Sequence, residues 1–197
     1  SEVLSVTGKV LPVTLDKAKL CAGLENGEIV VGENNIRPRV VESKSRIKQI
    51  FLKDTAAEAA PGVLEAIKEA DAIVLGPGSL YTSILPNLVV PTIAAEIANA
   101  KASKVYICNL MTQAGETLNY TASDHLKVIN EHLGESCMDT ILVNKEDIPA
   151  HLKLKYKEEY AQPVIFDINR LEQMGLQVIK DNIVTIQNNR VRHDTVV

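Results

Sequence analysis

From Ile47 onward the chain alternates short apolar runs with stretches of helical period, and this alternation limits the fold more than any other feature. The apolar runs are Ile47–Leu52, Ala72–Leu75, Lys104–Leu110, Thr140–Asn144, Pro163–Phe166 and Gln177–Ile179. Helical patterns lie between them at Pro61–Ala70, Pro91–Ala100, Ser123–Leu133, Leu152–Tyr160 and Asn169–Met174. Pro61 and Pro91 stand in the first helical turn, where the missing N–H costs nothing. Strands with so few polar residues, separated by helices, call for a mostly parallel sheet covered on both faces. The expected fold is therefore α/β, three-layered and Rossmann-like. The first 45 residues read differently. Leu4–Val10 alternates in character, and Leu24–Val31 contains Asn26-Gly27, a pair suited to a tight hairpin because both central residues take positive φ. The chain thus reads as one domain, 1–197, with an early β-hairpin segment (1–45) and an alternating β/α part (46–197).

Composition narrows the class of partner. With 46% hydrophobic residues in 197, the chain can bury one sizeable core. A net charge of −4 argues against a mainly electrostatic grip on nucleic acid or anionic membrane. No apolar run approaches the roughly 20 residues of a membrane-spanning helix. The opening Ser1-Glu2-Val3 lacks the basic and apolar regions of a signal peptide, so a cytoplasmic location is expected. Cys21, Cys108 and Cys137 are odd in number and lie in apolar settings, which suits buried thiols in a reducing compartment. The lack of an initiator Met and the strand-like start read as an N-terminally incomplete chain.

Two loops stand out. In an open parallel sheet, ligands bind beyond the carboxyl ends of the strands. Gly76-Pro77-Gly78-Ser79-Leu80-Tyr81-Thr82 follows one strand; Gly76 and Gly78 permit a sharp turn, while Ser79 and Thr82 add hydroxyl donors near an anion. A strand exit with no ligand reads equally well from these residues alone. The second loop, Asn109–Tyr120, is long for a strand-to-helix connection, which usually takes about 2–6 residues. It is dense in amide and hydroxyl groups that can read a base or sugar. Its candidates are Asn109, Met111, Thr112, Gln113, Gly115, Glu116, Thr117 and Tyr120, joined by Tyr81 from the first loop. Thr121-Ala122-Ser123-Asp124 matches a capping box, which places Tyr120 before the cap and His125 at the fourth helical position. Tyr120 and His125 could then staple the helix entry, or contact a ligand. Arg190-Val191-Arg192-His193 reads either as a fraying tail or as a source of cations. No metal-ligand spacing or nucleophilic triad is legible, so no catalytic or metal residue is assigned.

These residues carry a resemblance. Ala70 to Leu88 and Asn109 to His125 closely resemble the CofD-like family, and the likeness runs from Gly8-Lys9-Val10-Leu11-Pro12 to Arg192-His193-Asp194-Thr195. Within it the chain is similar to the YvcK-type gluconeogenesis factors. That branch implies a regulatory protein of carbon metabolism and cell shape or envelope synthesis that binds a UDP-sugar, notably UDP-N-acetylglucosamine, with Arg192 neutralising charge. The alternative it implies is a 2-phospho-L-lactate transferase of coenzyme F420 synthesis. Family members open with a Gly-rich loop and an Asp-Asp-Gly-Gly-type segment, neither of which occurs here, so the chain resembles the later two-thirds of a member. Any Mg would enter only through that missing part. A homo-oligomer is left open. Ala114 departs from a common Pro and should only loosen its loop.

Overall fold

The computed structural model describes residues 8–53, 57–134 and 136–194. The first 45 residues hold a hairpin and a helix. Strands β1 (Lys19–Leu24) and β2 (Ile29–Val31) pair antiparallel across the Asn26-Gly27 turn; Gly27 has φ 87°, but Asn26 does not take the positive φ expected of it, so the loop is longer than a two-residue hairpin. Helix α1 (Glu33–Ser43) follows. Strand β3 (Ile47–Lys53) then returns antiparallel to β1, giving a small sheet of order β2-β1-β3. This corrects two expectations. Ile47–Leu52 opens no parallel sheet: as β3 it pairs antiparallel along the edge of β1 that β2 leaves open. The stretch 33–43, taken as part of a β-rich segment, is helical. Its helical signal is masked by Asn34, Asn35 and an internal Pro38, and burial of Ile36 and Val40 on one face supports it. The strand expected over Leu4–Val10 falls largely on residues 1–7, outside the described ones.

The second part is the expected α/β unit. Strands β4 (Ala72–Leu75), β5 (Ser103–Ile107), β6 (Thr140–Asn144) and β7 (Gln177–Asp181) form a parallel sheet in chain order. Helices α2 (Val63–Lys68), α3 (Leu85–Leu88), α4 (Pro91–Asn99), α5 (Ala122–Leu133), α6 (Ala150–Glu158) and α7 (Ile168–Gln173) connect or cover them. One sheet face, carrying Ile73, Leu75, Tyr106, Ile141, Val143 and Val178, packs with Ile93 and Ile97 of α4 and Leu126 and Ile129 of α5 into the main core. The other face is covered at its carboxyl end. There Ile107 and Leu142 meet α6 and a final hairpin of β8 (Val184–Gln187) and β9 (Arg190–His193). Val74 and Ile179 on the same face stay 53% and 42% exposed. Pro163–Phe166 forms no ladder: Pro163 and Ile165 make single bridges to Met111 and Thr121. Pro163 has no N–H to donate to a ladder, which limits it to such contacts. Among the described residues no single helix is long and apolar enough to cross a membrane.

Helix α5 begins as its sequence dictates. The Thr121 hydroxyl accepts from the Asp124 N–H at 3.3 Å, and the Asp124 carboxylate accepts from the Thr121 N–H at 3.0 Å. The Tyr120 ring stands edge-on to His125 with centroids 5.5 Å apart, closing the staple. Gly134, at φ 81°, ends the helix in the left-handed conformation that favours glycine. Thr121→Ala is expected to lower stability by about 1–2 kcal/mol through loss of the cap, readable as a drop in denaturation midpoint.

Candidate functional site

Both polar loops leave the carboxyl ends of neighbouring parallel strands, β4 and β5, and meet at one sheet edge. The first turns at Gly76, whose φ is 92°. A Cβ there would lie 2.9 Å from the Ile107 carbonyl oxygen, so only glycine lets the loop pass so close to β5. The Gly76-Pro77 peptide is cis. Ser79 leads into a short π-helical turn, Leu80–Ile84, that runs directly into α3.

Side chains tie the loops together. Asn109 donates from Nδ2 to the Gly78 carbonyl at 2.8 Å and accepts from the buried Tyr106 hydroxyl at 3.1 Å. Gln113 donates from Nε2 to Ser79 Oγ at 2.8 Å, while its buried Oε1 has no partner. The Thr117 hydroxyl accepts from the Gln113 N–H and holds the loop in a tight turn. Thr112 is locked by two hydrogen bonds to the Gln162 backbone.

The result is a groove of 440 Å³, within the range of small-molecule sites. Of the candidate residues, Gly78, Ser79, Asn109, Met111, Thr112, Gln113 and Arg192 line it. Arg192 comes from β9 and is part of a hairpin strand. The groove also takes residues the sequence did not single out. Arg37 reaches it from α1, and Tyr156, Glu159 and Ala161 come from α6 and the turn after it. Nothing in the sequence could have found Arg37 while α1 read as β. Arg190 is held by Glu159 at 2.8 Å, which draws that carboxyl below its usual range, and it lies over the Tyr156 ring. Arg37 and Arg192 make no ion pair or hydrogen bond among the described residues. His193 Nε2 lies 3.2 Å from the Cys108 carbonyl, which can only accept, so Nε2 carries the hydrogen. Burial lowers the His193 pKa and favours the neutral ring.

The remaining candidates lie elsewhere. Gly76 is structural at the strand exit. Tyr81 is 2% exposed in the core, and its hydroxyl meets that of Tyr120 at 2.8 Å. Thr82 donates to the buried carboxyl of Glu116 at 3.3 Å. Gly115, Glu116 and Tyr120 border a different cavity, and Thr117 is buried beneath its loop. Cys21 and Cys108 are buried, and Cys137 is partly so. Burial pushes the Cys108 thiol up to about 12, so it stays a thiol. Among the described residues, no three His, Cys, Asp or Glu side chains are grouped to hold a metal.

The family model of 2-phospho-L-lactate transferase CofD matches residues 1–184. The chain belongs to the CofD family. A Bacillus subtilis relative named gluconeogenesis factor is 54% identical over 195 residues, covering 99% of this chain and 60% of the relative. A putative gluconeogenesis factor of Thermoanaerobacterium thermosulfurigenes is 47% identical over 98% of the chain and 60% of its own length. Among solved structures, a Bacillus halodurans protein described as a member of the UPF0052 family superposes with a TM-score of 0.90 at 47% identity, covering 98% of this chain and 61% of its own. The chain spans about 40–60% of the length of the curated relatives it matches.

Two predictions follow the geometry of the loops. Gly76→Ala should destabilise by more than about 1 kcal/mol, because the new Cβ meets backbone at a positive φ; denaturant melts check it. Burial raises the Glu116 pKa from 4.5, so the folded state binds that proton more tightly than the unfolded chain. The resulting stability is full below the unfolded pKa and is lost as pH climbs through the raised folded value. Glu116→Gln should flatten that decline, as seen in melting temperatures of both proteins across about pH 4–8.

Proposed function

We propose that this chain is the nucleotide-sugar-binding part of a regulatory protein of carbon metabolism and envelope synthesis, with UDP-N-acetylglucosamine as ligand. One observation carries the reading. Arg37 and Arg192, from distant parts of the chain, line one groove without an ion pair, opposite loops rich in amides and hydroxyls. A guanidinium holds a phosphate with two parallel hydrogen bonds, and two of them suit a diphosphate. Gly78 and Ser79 supply backbone and hydroxyl groups beside it. Asn109 and Gln113 are the polar groups that would read the base or sugar, and the unpartnered Gln113 Oε1 is an acceptor for an imide or amide N–H. The names of the relatives support the regulatory part of this reading.

A transferase reading has one specific support, the description of the matching family model. Calorimetry separates the two. UDP-N-acetylglucosamine should bind and, at one hundred times Kd, stabilise the fold by about 2.7 kcal/mol. Clear binding of GDP or a deazaflavin alcohol with no response to uridine nucleotides would favour the transferase instead.

Mutations sharpen the test. Arg192→Ala should weaken UDP-N-acetylglucosamine binding by roughly 1.5–3 kcal/mol, the range for hydrogen bonds to charged groups. Arg37→Ala should do the same. Both should melt near the parent temperature, since neither side chain is held by an ion pair. Tyr120→Ala should behave in the opposite way. Its ring staples α5 and its hydroxyl serves Tyr81, so stability should fall while affinity stays put.

A further inference from the structure

A second cavity lies one helical turn along α1 from the groove. Its volume is 550 Å³, and Val40, Val41, Ala114, Leu118, Tyr120 and Tyr160 form its mainly apolar wall. Three of these are large side chains exposed on this chain: Val41 is 51% exposed, Leu118 45% and Tyr160 73%. They come from three separate segments, α1, the second polar loop and the turn after α6, and converge on one hollow. Scattered exposed hydrophobics are ordinary, but convergence on a concave site of ligand size is not. Lys44 and Arg46 stand at one end, and among the described residues neither has an ion pair. The carboxyl in the wall, Glu116, is buried and hydrogen-bonded by Thr82, with its pKa raised by burial.

Between the two hollows α1 packs closely on the second loop. At Gly115 a Cβ would come within 2.9 Å of both the Arg37 carbonyl and Val41 Cγ2. Helix α1 therefore sits directly on the loop backbone, with Arg37 on the groove side and Val41 on the cavity side. The two hollows share Ala114 and are otherwise lined by different residues.

We infer that this cavity is a second ligand site, for a small amphipathic anion whose apolar body fills the pocket and whose acidic head meets Lys44 and Arg46. The apolar wall takes up the body by removing exposed surface from water. The two cations set the sign of the head and its position at the rim. The site is separate from the nucleotide groove, so both can be occupied at once.

The probe is 8-anilinonaphthalene-1-sulfonate, an aromatic body with a sulfonate head, with decanoate as competitor. Titration should give one saturable fluorescent site that decanoate empties and decanol does not. The charge reversal Lys44→Glu with Arg46→Glu should weaken probe binding by about tenfold or more, the scale of a lost charge-assisted hydrogen bond. Leu118→Asp should do likewise. All three positions are exposed, so the variants should melt as the parent does, and a melt of each shows that the fold is intact. Arg192→Ala should leave probe binding unchanged. Competitive displacement of the probe by UDP-N-acetylglucosamine would make the cavity an extension of the groove and overturn the inference. Probe binding indifferent to the charge reversal would overturn it as well. So would a chain that is dimeric in solution and becomes monomeric on Leu118→Asp, since the apolar face would then belong to a second copy.

Discussion

The close pass of Gly76 over the Ile107 carbonyl is the contact on which the candidate site depends. Parallel strands β4 and β5 end side by side, and a side chain at position 76 would collide with the Ile107 carbonyl oxygen. Because Gly76 has none, the first loop folds inward across β5, where Asn109 can reach the Gly78 carbonyl and Gln113 can reach Ser79. Asn109 is anchored in turn by the hydroxyl of Tyr106, a ring buried under the sheet. A backbone approach inside the fold thus sets the positions of side chains at its surface. The polar loops are ordered by one another and by the core beneath them.

What could be read from the sequence was what local physics alone decides. The capping box at Thr121 and Asp124 and the reversal near Asn26-Gly27 depend on neighbours in the chain, and the apolar runs of β4 and β6 are plain enough to read without their partners; all lie where expected, though Asn26 lacks the expected positive φ. Elements whose character depends on distant partners were not legible. Helix α1 contains Pro38 and two asparagines, and its stability comes from Ile36 and Val40 entering the core. Strand β3 has the composition of a buried parallel strand, yet it pairs antiparallel with β1, a partner its own residues do not reveal. The site divided along the same line. The two loops could be marked as polar and unusual, but which of their residues would line a common groove was a matter of assembly. Tyr81 and Thr82 share a loop with Ser79, yet the π-helical turn rotates Tyr81 into the core and gives Thr82 to Glu116. Arg37 lay beyond reach, since a residue 41 positions before Gly78 enters the groove only through packing of α1 on Gly115.

The charge distribution follows from the same assembly. The chain as a whole is acidic, with a net charge of −4. Three arginines nevertheless gather at one groove, and they differ in availability. Arg190 is held by Glu159 and lies over Tyr156, so it serves to fix the final hairpin against α6. Arg37 and Arg192 make no ion pair among the described residues, although the Glu116 and Glu159 carboxyls feel the charge of Arg37. One arginine is thus locked and two are unpaired at the same groove.

Helix α1 is the element that both hollows share. One face carries Arg37 toward the groove, and a turn later Val41 faces the amphipathic cavity, with Gly115 clamped between them at backbone contact. A contact of backbone on backbone has little give, because neither side can relieve a displacement by changing rotamer. Any shift of α1 that improves the fit of a ligand on one side must therefore move a residue on the other. Coupling between the hollows would then act through the position of one helix, and its sign would be set by whether the two ligands favour the same placement of α1. The binding energy at either site could bias the other only by the difference each ligand makes between those placements, which confines the effect to the modest factors typical of linked sites.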